Sequence, residues 1–256
     1  MTNKLIIAAL QIPAFGYGAA RSMNWYEDYV LSNAKTFVEN GITSIKIQDE
    51  TVEPGPMAQR SMARMACLGH ALKREFPSLD LGIIVQAHDP VAALAIADAC
   101  GAGFVRLKVF AGAAVTAEGL REALGPEAVA YRERIGRADI RIYADVHDRT
   151  SVPTAPVPNA MAAAWTAKLG ADALVVTGAT FVDTTDRISA ARRDGVSKPI
   201  LIGGSVTTDN VGQALDAADG VIVSSALRRK GAAPDAMDRW DGAAVRAFMD
   251  AVTAHG

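Results

Sequence analysis

Two basic side chains fall at alternating positions of one short apolar segment, residues 104–109. Arg106 and Lys108 alternate there with two valines and a leucine. Because successive side chains of a β-strand point to opposite faces, the two cations share one face and the aliphatic residues share the other. Buried cations are costly unless they are paired or bind an anion. The pattern therefore predicts either an internal ion pair or a site for an anionic ligand.

A carboxylate and an imidazole are spaced in the same way. Asp145 and His147 lie two positions apart at the end of the apolar segment 140–146, which places them on one strand face. An imidazole titrates near neutral pH, so the pair suits general acid–base catalysis with Asp145 orienting His147. Asp145 can also balance the charge of Arg106 and of a third cation, Lys46. The alternative is an ion-pair layer that only fills the protein interior.

Lys46 and Lys108 could also take part in covalent catalysis. A desolvated lysine amine can form an imine with a carbonyl group, whereas an ammonium group can stabilise an enolate. Arg106 is a like-charged neighbour of Lys108, which favours the amine. The predicted catalytic residues are Lys108, His147, Asp145, Arg106 and Lys46.

A divalent metal is the weaker interpretation of the same residues. Asp145 and His147 would supply two ligands. Four further side chains would be available to complete the set: His88, Asp89, Asp49 and Glu50. The sequence contains no His-x-His or His-Glu-x-x-His spacing. We therefore predict no cofactor and no metal site, and keep a divalent metal as the open alternative.

Glycine and serine residues end or follow the last two apolar segments, 199–203 and 220–223. Glycine lets the backbone approach an anion closely, and a threonine at 207 or 208 can cap the next helix, whose N-terminus would face the same anion. A short helix over 226–230 would aim its first amides at the same point. Two ordinary capped loops are the alternative. The predicted phosphate-binding residues are Gly203, Gly204, Ser205, Ser224 and Ser225.

Short apolar segments alternate with helical segments eight times along the chain. The predicted strands are 5–12, 42–47, 81–87, 104–109, 140–146, 173–177, 199–203 and 220–223. The predicted helices are 25–40, 57–76, 90–100, 117–134, 158–169, 183–193, 208–217 and 238–254. This alternation predicts an α/β fold, a single (β/α)8 barrel in which residues 1–256 form one domain. The main rival is an open doubly wound sheet, but no Gly-x-Gly-x-x-Gly follows the first strand.

A barrel gives the polar residues a common location. The loops that follow its strands build the active-site face, and those after the seventh and eighth strands often bind phosphate. Unusual residues are concentrated in three such loops, 13–18, 48–56 and 147–158. Strand alternation turns further polar side chains inward. These form the predicted substrate pocket: Gln11, Gln48, Gln86, His88 and Thr177.

The composition excludes several classes of partner. The chain has 256 residues, a net charge of −2 and 50% hydrophobic residues, which predicts no nucleic-acid and no membrane partner. The first apolar segment is too short to span a membrane. The two cysteines, Cys67 and Cys100, fall in helical segments and indicate reduced core residues of a cytoplasmic protein. The expected partner is a phosphorylated small molecule, and a homo-oligomer stays open.

Several stretches of the chain, taken in order, resemble the BtpA/SgcQ family of TIM barrels. They include GFVRLKVFAGA (103–113), ADVH (144–147) and GSVT (204–207). Further matches lie at 89–97, 131–132, 177–178 and 218–223, so the likeness covers most of the chain from about Gly82 onward. The resemblance implies a ribulose-phosphate-binding type of barrel. The family name comes from a role in photosystem I assembly, while other members look like enzymes encoded near sugar-phosphate operons.

The chain departs from the family pattern at several candidate positions. Residues 11–16 replace a His-rich, Pro-Gly loop, and residues 48–51 replace Glu-Asn-Phe-Gly-Asp. Lys108 stands where the family usually has Asn, and Arg149-Thr150 replaces Lys-His. We therefore predict a divergent member with a shifted substrate or reaction.

Two functions are consistent with these predictions. The first is an enzyme of lyase, aldolase or isomerase type that acts on a phosphorylated sugar or nucleoside-derived molecule. In that enzyme Arg106 and Lys108 hold a carbonyl or carboxylate group, and His147 moves protons. The second is a non-catalytic assembly or regulatory factor, as the family name implies. The polar interior favours the enzyme, because a scaffold can fill its barrel with aliphatic side chains.

Overall fold

The computed structural model describes residues 4–16, 21–51 and 55–255, and these contain eleven strands and eight α-helices. The strands are β1 (Leu5–Ile12), β2 (Ser44–Asp49), β3 (Asp80–Ile84), β4 (Phe104–Leu107), β5 (Ala113–Thr116), β6 (Gly119–Glu122), β7 (Arg141–Val146), β8 (Val152–Pro153), β9 (Ala173–Val176), β10 (Ile200–Ile202) and β11 (Gly220–Val223). The helices are α1 (Met23–Val38), α2 (Gln59–Glu75), α3 (Pro90–Cys100), α4 (Gly125–Arg134), α5 (Asn159–Lys168), α6 (Phe181–Arg193), α7 (Val211–Ala217) and α8 (Gly242–His255). Residues 17–18 of the first predicted loop and 52–54 of the second lie outside the described residues.

Eight of the strands close into a parallel barrel, in the order β1-β11-β10-β9-β7-β4-β3-β2. Helices cover the outside of the barrel, so each strand is buried on both faces. This is why the strands are nearly continuous aliphatic runs. The predicted (β/α)8 barrel is confirmed.

The prediction of a single helix over 117–134 is wrong for the first half of that segment. Strands β5 and β6 form an antiparallel hairpin there, and β8 pairs with the other edge of β5. Gly119 opens β6 with a φ of 115°, a conformation that glycine adopts readily and a helix does not. The helix α4 begins only at Gly125. Strand pairing within this small sheet overrides the local helix preference of the alanine, glutamate and leucine residues.

The barrel interior has an apolar layer below a polar layer. Near the N-terminal ends of the strands, Phe104 and Tyr143 stack with their ring centroids 4.7 Å apart, and Ile7 belongs to the same cluster. Gly82 makes room for them, because a Cβ at that position would lie 2.1 Å from the Phe104 ring. The packed layer closes the bottom of the barrel. The polar side chains lie above it, at the C-terminal ends of the strands.

Aspartates secure the N-terminal ends of the strands. Asp172 precedes β9 and accepts a hydrogen bond from the backbone N–H of Ile142 in β7 at 2.8 Å. The same carboxylate accepts from Arg132 at 2.5 Å. Asp219 repeats the arrangement between β11 and β10, with the N–H of Ile200 at 2.8 Å. Each carboxylate satisfies a backbone donor at a strand start and ties two neighbouring strands together.

The main apolar core lies between the barrel and the helices, and Cys100 is buried there. Burial raises the pKa of the Cys100 thiol to about 11. Cys67 is exposed, so the prediction that both cysteines are core residues is wrong for Cys67, which lies on an outward face of α2. Both thiols are free. No helix within the described ranges combines the length and apolar character needed to cross a bilayer.

Candidate active site

The C-terminal ends of the barrel strands enclose a polar cavity of about 420 Å³, which we call the mouth cavity. This volume lies within the range of small-molecule sites, about 300–1,000 Å³. Most of the predicted polar residues line it: Lys46, Arg106, Lys108, Gln11, Gln48, Gln86 and Thr177. All the predicted phosphate-binding residues line it too: Gly203, Gly204, Ser205, Ser224 and Ser225. Residues that are distant in sequence are therefore gathered in one cavity.

One cation of the mouth cavity has a carboxylate partner inside the protein. Arg106 donates from Nε to Oδ2 of Asp145 at 2.9 Å and from Nη2 to Oδ1 at 2.6 Å. Both side chains are largely buried, and the two parallel bonds make this a strong bidentate pair. The internal ion pair that the sequence predicted is present. It neutralises Arg106 and leaves the other cations of the cavity available to a ligand.

Lys46 lies deep in the mouth cavity, with an exposure of 3%. Its Nζ donates to Oε1 of Gln48 at 2.7 Å, a bond that the neutral amine can also make. Burial holds the pKa of Lys46 well below its ordinary value, and the charge of Arg106 lowers this pKa further against the opposing effect of Asp145. A neutral lysine amine is a competent nucleophile. The sequence predicted that Arg106 would favour the amine form of Lys108. The structure shows this effect of Arg106 at Lys46.

The loop after β10 presents backbone to the mouth cavity. At Gly203 a Cβ would lie 2.2 Å from Oγ1 of Thr177, so only glycine fits there. At Gly204 the space is larger, and a Cβ would lie 3.6 Å from Nη1 of Arg149. A ligand atom can therefore approach the backbone at Gly204 closely, with a guanidinium group beside it.

Hydrogen bonds fix the two predicted phosphate loops. Ser205 has a φ of 64°, and its carbonyl accepts from the amide of Asn210 at 3.0 Å. The Asn210 Oδ1 accepts in turn from the backbone N–H of Thr207 at 2.7 Å. In the loop after β11, the Gln11 amide donates to Oγ of Ser224 at 3.0 Å. Both loops are therefore held in place by side chains that contact them from neighbouring segments.

Two arginines that the sequence analysis did not select as site residues also line the mouth cavity, Arg149 and Arg228. Arg228 follows a 3₁₀ turn, Ser225–Leu227, which replaces the short helix predicted over 226–230. A single turn is too short to aim several amides at one point, so the charge of Arg228 is the stronger feature of that loop. A signal was present in the sequence, because both arginines lie within a few residues of the C-terminal end of a barrel strand.

Asp148 is a further residue that the sequence analysis missed. It is 8% exposed, and among the described residues that line the mouth cavity it is the one carboxylate. Its Oδ2 accepts a hydrogen bond from Oγ1 of Thr150. A carboxylate in this position can exchange a proton with a ligand in the cavity. Asp148 therefore occupies the place that the sequence analysis gave to His147.

His147 and Asp145 line one cavity but do not form the predicted hydrogen-bonded pair. Strand β7 ends one residue earlier, and His147 has a φ of 52°, a left-handed conformation that breaks the strand alternation. Its side chain lines a mostly apolar cavity of about 180 Å³ beside α5. Burial lowers the pKa of His147 and the charge of Arg187 lowers it further, so the imidazole is neutral at pH 7. Both oxygens of Asp145 bond Arg106, and the predicted orientation of His147 by Asp145 is wrong.

A second cavity, of about 290 Å³ and with both polar and apolar walls, adjoins the mouth cavity beneath the β5–β6 hairpin, and we call it the side chamber. His88 lines the side chamber and not the mouth cavity, which corrects the prediction that placed it beside Gln11 and Thr177. Strand β3 ends at Ile84, so strand alternation no longer governs the direction of His88. Gln86 lines both cavities, and its Oε1 accepts from Nζ of Lys108 at 3.2 Å.

The residues considered for a metal site are not brought together. Within the described ranges, no group of three or more His, Cys, Asp or Glu side chains is placed to hold a metal ion. Asp145 is bonded to Arg106, and Asp89 caps α3 by accepting from the N–H of Ala92 at 2.8 Å. The described side chains therefore do not form the ligand set that the sequence left open.

Sequence comparison relates the chain to a family with this fold. The model of the BtpA family matches residues 5–254. The photosystem I biogenesis protein BtpA of Synechocystis is 34% identical over 175 residues, which cover 67% of this chain and 60% of that protein. Protein TK2179 of Thermococcus kodakarensis is 30% identical over 204 residues, 78% of this chain and 77% of its own. The putative sgc region protein SgcQ of Escherichia coli is 24% identical, covering 98% of this chain and 95% of its own.

Structural comparison finds other barrels. Tryptophan synthase subunit alpha from Legionella pneumophila superposes with a TM-score of 0.64 at 13% identity, covering 98% of this chain and 93% of that chain. Phosphoribosyl anthranilate isomerase from Thermococcus kodakaraensis gives a TM-score of 0.55 at 14% identity, with coverages of 98% and 99%. At these identities the likeness shows a shared barrel fold.

Proposed function

The chain belongs to the BtpA family, and we propose that it is a barrel enzyme acting on a phosphorylated small molecule, a sugar phosphate or a nucleoside-derived phosphate. The charge of the mouth cavity carries the proposal. Besides the paired Arg106, the cavity is lined by Lys108, Arg149 and Arg228, and Asp148 is the one carboxylate among its described lining residues. Cations gathered in a concave site with too few carboxylates favour an anionic ligand.

The phosphate would bind at the loops after β10 and β11. Gly204 offers backbone that no side chain obstructs, and Arg149 lies directly beside it. Ser224 and Ser225 add hydroxyl groups from the neighbouring loop. This is the end of a barrel at which phosphate groups commonly bind. The name of one structural neighbour, phosphoribosyl anthranilate isomerase, describes a substrate of the same kind and supports the proposal.

The reacting centre would lie deeper, at Lys46 and Lys108. The lowered pKa of Lys46 favours its amine form, which would attack a carbonyl carbon of the substrate, and loss of water would leave an imine. Lys108 would stabilise negative charge that develops on the substrate. Asp148 would take or return the proton. This chemistry supports carbon–carbon cleavage of the lyase or aldolase type, and the same groups without the imine support isomerisation through an enolate.

Inorganic phosphate is the first test of the proposal. Calorimetric titration should show binding to the wild-type protein, and Gly204→Glu should weaken it at least about tenfold, because the new carboxylate competes for Arg149 and repels the anion. Gly204→Ala is the uncharged comparison and should weaken binding less than Gly204→Glu, since its Cβ fits 3.6 Å from Nη1 of Arg149 and adds no carboxylate. If the wild type binds neither phosphate nor a phosphate monoester, the proposed function is wrong.

Borohydride trapping tests the role of Lys46. A mixture of the protein, borohydride and a panel of carbonyl-containing phosphates should give a covalent adduct that mass spectrometry assigns to Lys46. Lys46→Met should give no adduct, whereas Lys108→Met should still form one at a slower rate. A wild type that binds phosphates and forms no adduct would support the isomerase mechanism in place of the imine.

A non-catalytic assembly factor is the second candidate, favoured by the name of the Synechocystis relative. It predicts that Lys46→Met matches the wild type in every ligand assay and that no phosphate of the panel is converted. Product analysis of the same incubations, by mass spectrometry, separates this candidate from the enzyme.

A further inference from the structure

The side chamber is joined to the mouth cavity through shared walls. Gln86, Arg106, Lys108, Asp148 and Thr150 line both cavities. A ligand that fills the mouth cavity can therefore extend past Lys108 into the side chamber. The roof of the chamber is the β5–β6 hairpin, which contributes Thr116, Ala117 and Arg121.

The two cavities differ in their balance of charge. In the side chamber Arg106 is already paired with Asp145, and Lys108 and Arg121 are matched by two carboxylates, Asp148 and Glu118. In the mouth cavity the basic side chains not shared with the side chamber are Lys46, Arg149 and Arg228, and no further carboxylate joins Asp148 among the described lining residues. A region with matched charges does not attract a second phosphate or carboxylate group. Its wall is also partly aliphatic, with Leu107 and Leu124 among the lining residues.

His88 gives the side chamber a neutral hydrogen-bonding group. Its Nε2 lies 2.8 Å from the carbonyl oxygen of Glu122, and because a carbonyl only accepts, Nε2 carries the hydrogen of this bond. Burial lowers the pKa of His88. The neutral ring then has an unprotonated Nδ1, which can accept a hydrogen bond.

We propose that the side chamber is a second substrate subsite, which binds an uncharged ring carrying hydrogen-bonding groups. This inference rests on the proposed function, because it takes the phosphate end of the substrate to lie in the mouth cavity. The ring is a sugar or a nucleobase, which share this chemistry. The substrate is then a two-part molecule that spans the junction at Lys108, and not a phosphate of three or four carbon atoms.

Titration of the wild-type protein with a matched set of phosphate monoesters tests the inference. Glycerol 3-phosphate can fill only the mouth cavity, whereas glucose 6-phosphate and the nucleoside 5′-monophosphates carry an uncharged ring as well. At least one ring compound should bind about tenfold more tightly than glycerol 3-phosphate or better. The sugar and nucleotide arms distinguish the two kinds of ring. Equal affinity across the set would overturn the inference.

A pair of tryptophan substitutions on the hairpin shows where the ring binds. Ala117→Trp fills the chamber from an exposed position, so no core packing is lost. Leu120→Trp is the control, because Leu120 is 60% exposed on the same hairpin and does not line the chamber. Ala117→Trp should remove the tenfold gain of the ring compound, and Leu120→Trp should keep it.

Glycerol 3-phosphate separates the two possible failures. Its affinity should be the same in the wild type and in both tryptophan variants, which also shows that the variants are folded. If Ala117→Trp weakens glycerol 3-phosphate as much as the ring compound, or weakens neither, the side chamber is not a separate subsite and the inference fails alone. If no phosphate monoester binds the wild type, the proposed function fails, and the inference with it.

Discussion

The cationic side chains at the two ends of the barrel have different hydrogen-bond partners. At the N-terminal end, arginines donate to aspartates in three pairs: Arg132–Asp172, Arg141–Asp80 and Arg192–Asp219. At the C-terminal mouth, the cation Lys108 donates to the neutral amide of Gln86. Positive charge is paired with aspartates at the N-terminal end of the barrel, whereas at the C-terminal mouth it contacts a neutral amide.

This difference separates charge that holds the fold from charge that is kept for a ligand. Solvent-accessible ion pairs contribute little by themselves, but two of these aspartates, Asp172 and Asp219, also accept backbone N–H groups of strand starts. At the mouth, the neutral amide of Gln86 holds Lys108 without cancelling its positive charge. Stability is therefore expected to depend on the N-terminal end, and anion binding on the mouth.

The largest effect is expected at Arg106–Asp145, the one described pair that brings the N-terminal arrangement into the mouth. Asp145→Ala leaves Arg106 buried without its partner and should lower the free energy of unfolding by about 3–5 kcal/mol. Urea unfolding followed by circular dichroism measures the change. The double variant Arg106→Leu/Asp145→Ala removes both charges and should recover much of the loss. A single-variant loss below about 1 kcal/mol would mean that solvent or another group replaces Asp145.

The next effect tests the ligand-binding side of the comparison. Arg149→Met should weaken inorganic phosphate by about ten- to a hundredfold, the equivalent of one charge-assisted hydrogen bond, and leave the free energy of unfolding unchanged. Calorimetry and urea unfolding on the same preparation measure both quantities. Arg193→Met removes an equal charge from an exposed position at the end of α6. Equal weakening by both substitutions would show that only the overall charge matters.

The reverse pattern is expected at the N-terminal end, where a substitution should lower stability and leave phosphate affinity unchanged. Asp172→Ala leaves the backbone N–H of Ile142 without its acceptor and should lower the free energy of unfolding by about 1–3 kcal/mol. Phosphate affinity should not change, because Asp172 lies at the far end of the barrel. Asp172→Asn keeps a carbonyl acceptor and should cost less. A fall in phosphate affinity in either variant would contradict the separation of the two ends.

Period-two alternation was sufficient to predict the mouth cavity as far as the strands extend. It turned Lys46 and Arg106 inward because their positions follow the regular pleat from the buried apolar layer upward, and the same direction holds for Lys108, one residue past the end of β4. The glycine and serine loops were found because their residue types suit an exposed backbone. These inferences rest on local geometry, which a sequence carries directly.

The same rule failed where the chain leaves a strand. At His147 one left-handed residue redirects the side chain, and neither residue type nor spacing marks that conformation. The β5–β6 hairpin was missed because its pairing with β8 joins segments that are distant in sequence, and a segment rich in helix-forming residues gives no sign of it. Arg149 and Asp148 belong to the same irregular loop, so their place in the cavity depends on that turn.

The smallest effect is expected at His147, which lies outside the mouth cavity. His147→Ala should bind inorganic phosphate as the wild type does.

Burial places the folded-state pKa of His147 below the unfolded value of about 6.5. As the pH falls below 6.5 the unfolded chain takes up the proton first, so the wild type loses stability between 6.5 and the folded-state pKa, and loses none above 6.5. His147→Ala should lack this part of the acid loss, and urea unfolding at a series of pH values measures the difference. His88 contributes its own acid loss in both proteins, because its pKa is lowered too, and it cancels in the comparison. If His147→Ala instead weakens phosphate as strongly as Arg149→Met, the anion site extends beyond the mouth cavity and includes the imidazole.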